Sequence, residues 1–123
     1  MNVVLISTYE LGHQPFGLSS PTAWLVRDGH DVVCLDLAVG PLDEAAVRAA
    51  DLIAFYLPMH TATRLAMPVI EQVRQLNPRA RLVCYGLYAP LNADLLRGLG
   101  VEAVIGGEFE AALARLANGG AAA

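Results

Sequence analysis

A chain of 123 residues, 55% of them hydrophobic and 16% charged, has the size and apolar content of one domain around a single filled core. Its net charge is −4, and its eight cations are all arginines scattered from Arg27 to Arg115, which leaves no basic stripe for nucleic acid. No apolar run approaches the ~18 residues of a membrane span, and the first residues read as a strand instead of a signal peptide; a soluble cytoplasmic protein is expected.

In chain order, the first strand is expected over residues 3–7. An irregular loop with Gly12, Pro15 and Gly17 follows over 8–20, and Pro21 opens a helix over 22–28 from its first turn. Gly29-His30 breaks that helix, and a second strand runs over 31–37. A helix over 43–50 and a strand over 52–57 come next. The helix over 62–76 contains Pro68, read as its first helical position after an irregular turn or as a kink. A strand over 81–85, a helix over 91–98, a strand over 103–105 and a helix over 108–117 complete the series. Residues 118–123, Asn-Gly-Gly followed by three alanines, have no periodicity; the domain is expected to span 1–117 with a flexible tail or linker after it.

The strands are short and nearly continuous in Val, Ile and Leu, as strands covered on both faces are. Strict alternation of strand and helix predicts a doubly wound parallel sheet in a three-layer α/β/α domain with right-handed crossovers. The expected fold is flavodoxin-like (Rossmann-like), five-stranded, in the order 2-1-3-4-5. Cys34 and Cys84 each fall inside a strand and read as small buried hydrophobes. In this order strands two and four are not neighbours, which argues against a bridge. Two thiols also exclude an iron–sulfur cluster or a cysteine-rich zinc site within the chain.

Four loops, 8–20, 58–61, 86–90 and 106–108, follow the first, third, fourth and fifth strands and share the carboxyl edge of the sheet, where such folds hold ligands. Each is rich in Gly, Pro, hydroxyl or aromatic residues, and a loop of thirteen residues in a compact domain is a signal of binding. Several familiar uses of the edge fail on the residues. A phospho-receiver needs acidic residues and a lysine where Ser7-Thr8, Leu57-Pro58 and Ile105-Gly106 stand. Gly12 and Gly17 are wrongly spaced for a dinucleotide fingerprint. Ser7-Thr8-Tyr9-Glu10 supplies only the start of a flavodoxin phosphate loop, and no Gly-x-Ser-x-Gly elbow occurs.

Phe16-Gly17-Leu18-Ser19-Ser20-Pro21, then Ala23-Trp24-Leu25, Gly29-His30-Asp31-Val32 and Asp36, resembles the N-terminal cobalamin-binding domains of radical-SAM enzymes. Gly107-Glu108-Phe109-Glu110 after the fifth strand is similar to their Gly-Glu-Gly-Glu, with Phe in place of the second Gly. The opening Ser-Thr-Tyr-Glu-Leu-Gly and the segment 56–63 also resemble a selenoprotein-related branch of radical-SAM proteins. The likeness spans about residues 1–117.

It implies a module that binds cobalamin (vitamin B12) and is not catalytic by itself. A partner catalytic domain, in cis or trans, would hold S-adenosylmethionine and a [4Fe-4S] cluster. It further implies cofactor contacts at Leu11, Gly12, His13, Phe16, Gly17, Leu18, His60, Thr61, Gly86, Tyr88, Gly106, Gly107 and Glu108. The Asp-x-His-x-x-Gly motif of cobalt-ligating domains is not met around His13, where Leu11 and Phe16 stand. The resemblance therefore implies a lower cobalt face without a histidine, floored by Leu11, Phe16 and Leu18.

Bland readings stand beside these. His13 and His60 also read as solvated loop residues, Trp24 as a residue packed on the sheet, and Gly106-Gly107 as a strand terminator. Thr61 and Thr63 read as helix caps or as donors to the corrin amides, and Glu108 and Glu110 as complements of a helix dipole. Gly29-His30-Asp31-Val32 is shared with glycosyltransferases, so the acceptor-side half of such an enzyme is the alternative, followed by a degenerate interaction module.

Overall fold

The computed structural model describes residues 1–9 and 16–120, and of Phe16 the backbone. Five strands, β1 (Asn2–Ser7), β2 (Asp31–Asp36), β3 (Leu52–Tyr56), β4 (Arg81–Tyr85) and β5 (Ala103–Ile105), pair in parallel in the order β2-β1-β3-β4-β5. The helices are α1 (Phe16–Arg27), α2 (Glu44–Ala49), α3 (His60–Leu76), α4 (Ala93–Gly98) and α5 (Glu110–Ala117). This is the expected flavodoxin-like sheet and order.

The two-residue period of a strand sends alternate side chains to opposite faces. Val4 and Ile6 of β1, with Ile53, Phe55, Leu82 and Cys84, face α2, α3 and α4 through Val47, Ala66, Ile70, Val73 and Leu96. Val3 and Leu5, with Leu52, Ala54, Val83 and Tyr85, face α1 and α5 through Leu18, Leu25, Leu113 and Leu116. Both faces are therefore covered in the middle of the sheet. At its rim β2 is an edge strand; Val33 is 40% exposed and Cys34 is exposed as well. The expectation of a buried Cys34 fails because an edge strand lacks a neighbour on one side. Cys84, in the interior strand β4, is buried as expected, and desolvation pushes its thiol up to about 12. Both cysteines are free, with β1 and β3 between their strands.

Several boundaries differ from expectation. Helix α1 begins at Phe16, so Pro21 lies inside it and not at its start. Helix α3 is continuous from His60 with Pro68 inside; Pro68 and Arg64, whose carbonyl it leaves without an N–H, both lie on the exposed side of the helix. The expected helix over 91–98 is a 3₁₀ turn, Pro90–Asn92, leading into α4. Asn118 to Gly120, read above as tail, close α5 in a Schellman motif. Gly119 adopts φ 91°, Gly120 N–H donates to Arg115 O at 2.8 Å, and Gly119 N–H donates to Leu116 O at 3.1 Å. None of the described helices is long and apolar enough to cross a membrane.

Candidate functional site

The carboxyl ends of β1, β3, β4 and β5 are stitched into one rim by backbone hydrogen bonds. Leu57 N–H donates to Tyr85 O (2.8 Å), Gly86 N–H to Ile105 O (2.9 Å) and Tyr88 N–H to Leu57 O (3.0 Å). Gly86 is required by this stitching. It takes φ 118°, and a Cβ there would lie 2.8 Å from the Leu57 carbonyl oxygen. Gly106 rests against Pro90, 2.7 Å from where its Cβ would be. Gly107, at φ 61°, has nothing within 4 Å of that position among the described residues. Gly107 is the one of the three whose bare backbone faces open space.

Other expected contacts are divided between the surface and the interior. His60 and Thr61, the first residues of α3, are exposed on the rim, and Met59 before them gives the helix no side-chain cap. Among the described residues nothing hydrogen-bonds the His60 ring. Thr63 is buried and donates to Met59 O at 3.2 Å, which occupies the hydroxyl that a corrin amide would need. Leu87 is 72% exposed beside half-buried Tyr88, and Glu108 is exposed. Leu11, Gly12 and His13 lie outside the described residues, as does the side chain of Phe16.

Gly17 and Leu18 depart from the expectation of a loop floor. Both are residues of α1, and both are buried; Leu18 packs in the core with Leu5 and Leu25. Helix α1 starts early enough to absorb them, so they lie between the sheet and the helix. Around them is a layer that sequence reasoning missed. Tyr56, Tyr85 and Phe109 form an aromatic cluster with ring centroids 5.4, 6.0 and 4.8 Å apart. A Cβ on Gly17 would overlap the Tyr56 ring, so glycine is needed for α1 to close over it.

The buried Tyr85 hydroxyl donates to Gly17 O at 2.6 Å. That carbonyl is the acceptor that Pro21, four residues on and without an N–H, cannot satisfy. The signal was present in the sequence as Pro21 four residues after Gly17, but its partner is 68 residues away. Burial, above all other causes, holds the Tyr85 phenol well above its ordinary value.

Polar groups surround the cluster. Ser20 Oγ of α1 donates to Glu110 Oε2 of α5 at 2.7 Å, and this hydrogen bond holds the Glu110 carboxyl below the usual carboxylate range. Thr8 Oγ1 donates to Ala62 O at 2.7 Å, tying the end of β1 to α3. Ser7 is fully buried and pairs in register with Tyr56, and its Oγ has no hydrogen-bond partner among the described residues. A buried orphan hydroxyl is uncommon and costs about 1–3 kcal/mol. Its position at the strand end that carries the rim marks this edge as the unusual part of the molecule.

The model of the B12 binding domain family matches residues 2–117, nearly the whole described chain. The chain belongs to the B12-binding domain family. Cobalamin is accordingly the ligand of this domain, and the glycosyltransferase alternative falls away. No curated protein matches the chain.

The rim residues of this B12-binding domain suit the cofactor's ring. Cobalamin presents a broad flat corrin fringed with neutral amides, and the rim offers a bare backbone at Gly107, exposed Leu87 and the neutral hydroxyl of Thr61. An open groove of about 500 Å³ along Pro90, Leu91 and Asn92 adjoins Gly106.

Proposed function

We propose that the domain seats one face of the corrin on the rim formed by Gly86, Tyr88, Gly106, Gly107, Glu108, His60 and Thr61, with the first loop, including Leu11, Gly12, His13 and Phe16, completing it. The open space beside Gly107, at the carboxyl edge of a B12-binding domain, carries this reading. Gly107 admits the macrocycle, Thr61 donates to its amides, and Leu87 and Tyr88 cover apolar ring surface. His60 would not serve as a lower ligand to cobalt: a ligating imidazole is ordinarily held by a hydrogen bond on its other nitrogen, and the His60 ring has none among the described residues.

Bound cobalamin supplies methyl transfer or radical control at cobalt. The domain's own part is to hold and orient the ring while its other face stays open to a radical-SAM catalytic domain, in cis or trans. The resemblance of residues 16–36 and 107–110 supports that partner. It would bring S-adenosylmethionine and the [4Fe-4S] cluster, and the module works in the cytoplasm.

Desalting a mixture of the domain with hydroxocobalamin and recording the visible spectrum tests the seat. Retained corrin absorbance is expected, and its complete loss would refute the reading. Gly107→Phe should abolish retention while the circular dichroism spectrum is kept. Gly107→Asn, which tolerates the left-handed backbone, should weaken it less. A Cys-x3-Cys-x2-Cys motif encoded in the same transcript or beside it would support the radical-SAM partner.

A further inference from the structure

Cobalamin is more than a ring: a propanolamine arm carries a phosphate, a ribose and a benzimidazole base. We infer that Tyr56 determines how this domain treats that nucleotide tail, by filling the space between the carboxyl end of the sheet and α1 so that no base enters it. This inference rests on the cobalamin reading above and deepens it.

Three observations carry the point. A planar base slipped between two aromatic rings needs their planes about 7 Å apart, twice the ~3.5 Å carbon contact distance. The three centroid separations, 5.4, 6.0 and 4.8 Å, are all shorter, and they lie in the range of rings already packed on one another. Helix α1 is closed on the cluster: Gly17 lies on the Tyr56 ring with no room for a methyl group, and Tyr85 Oη is committed to Gly17 O. The mouth between α1 and α5 is bridged by the Ser20–Glu110 hydrogen bond.

The space between the carboxyl end of the sheet and α1 is therefore taken by the protein's own Tyr56, which leaves the rim to hold the corrin from outside. Ser7, whose hydroxyl has no partner among the described residues, pairs in register with Tyr56 at the same strand end. Removing the ring should open space beside that hydroxyl.

The test compares dissociation constants for cobalamin and for cobinamide, the same corrin without phosphate, ribose and base. Both are measured by visible-spectrum titration of the intact chain. Wild-type protein is expected to bind the two within about threefold of each other, because the tail adds no buried contact. Tyr56→Ala should shift the ratio at least about tenfold toward cobalamin, while Tyr56→Phe, which keeps the ring, should leave it unchanged.

A wild-type preference for cobalamin of about tenfold or more would show that Tyr56 moves aside, and would overturn the inference. A shift in Tyr56→Phe as large as in Tyr56→Ala would overturn it too, since the ring would then not be the cause. If Tyr56→Ala fails to fold, the wild-type ratio decides alone. Retention of neither corrinoid would remove the cobalamin reading itself and this inference with it, an outcome distinct from binding with the wrong ratio.

Discussion

The two faces of the sheet use the same strands differently. Toward α2, α3 and α4 the layer stays apolar to the strand ends, with Phe55, Cys84 and Leu57 last before the rim. Toward α1 and α5 it is aliphatic at the amino end, Val3, Leu5 and Leu52, then turns aromatic and polar at Ser7, Tyr56 and Tyr85. The first face is mostly plain packing, and its buried polar groups, Thr63 and Asn77, are satisfied by backbone carbonyls. The second carries a buried orphan hydroxyl, a glycine pressed by a ring, and a helix carbonyl satisfied by a distant phenol. Among the described residues the unsatisfied hydroxyl, the glycine pressed by a ring and the distant phenol all lie on this second face, at the carboxyl end of the strands.

The sharpest way to break that contrast is through the packing face. Phe55→Ala should lower unfolding stability by about 3–5 kcal/mol in urea titration, yet leave the cobalamin-to-cobinamide ratio as it was in the protein that remains folded. A changed ratio would mean that the two faces are coupled. Next, Tyr85→Phe strands the Gly17 carbonyl and should cost about 1–3 kcal/mol, with a looser α1 seen as faster amide exchange at Leu18 and Thr22. Unchanged exchange there would show that Pro21 needs no compensating donor.

The smallest effect is electrostatic. The Arg81 guanidinium, bonded at 2.9 and 3.0 Å, and the Ser20 hydroxyl hold Glu102 and Glu110 below the ordinary 4.5. A carboxyl depressed in the folded state contributes stability above its unfolded value that is lost as pH falls from there through the folded value. The thermal midpoint should therefore drop as pH falls below about 4.5, and Glu102→Gln should flatten part of that slope. Glu110→Gln should flatten a different part, and only this second variant should change corrinoid binding, since Glu102 lies at the amino edge.

Much of this was readable residue by residue. Short, nearly continuous apolar strands in strict alternation with helical segments, and the breaks at Gly29-His30 and Asn77-Pro78, led to the sheet order. Ser7-Thr8, Leu57-Pro58 and Ile105-Gly106 at the strand ends ruled out a phospho-receiver. Gly86, Gly106 and Gly107 were legible as rim glycines from their places after strands. Gly17 and Leu18 were misplaced because a proline inside a helix reads locally as a helix start. Cys34 was misjudged because an edge strand and an inner strand share one apolar pattern.

The sequence alone determined the parallel five-strand architecture and the edge on which the loops converge, because hydrophobic period and turn chemistry are local properties of the chain. Tertiary structure alone decided that Tyr56, Tyr85 and Phe109 close on one another, that Tyr85 answers Pro21, and that Ser7 lies buried with no partner among the described residues. Those outcomes depend on which side chains from distant segments compete for one volume, and no local pattern along the chain encodes that competition.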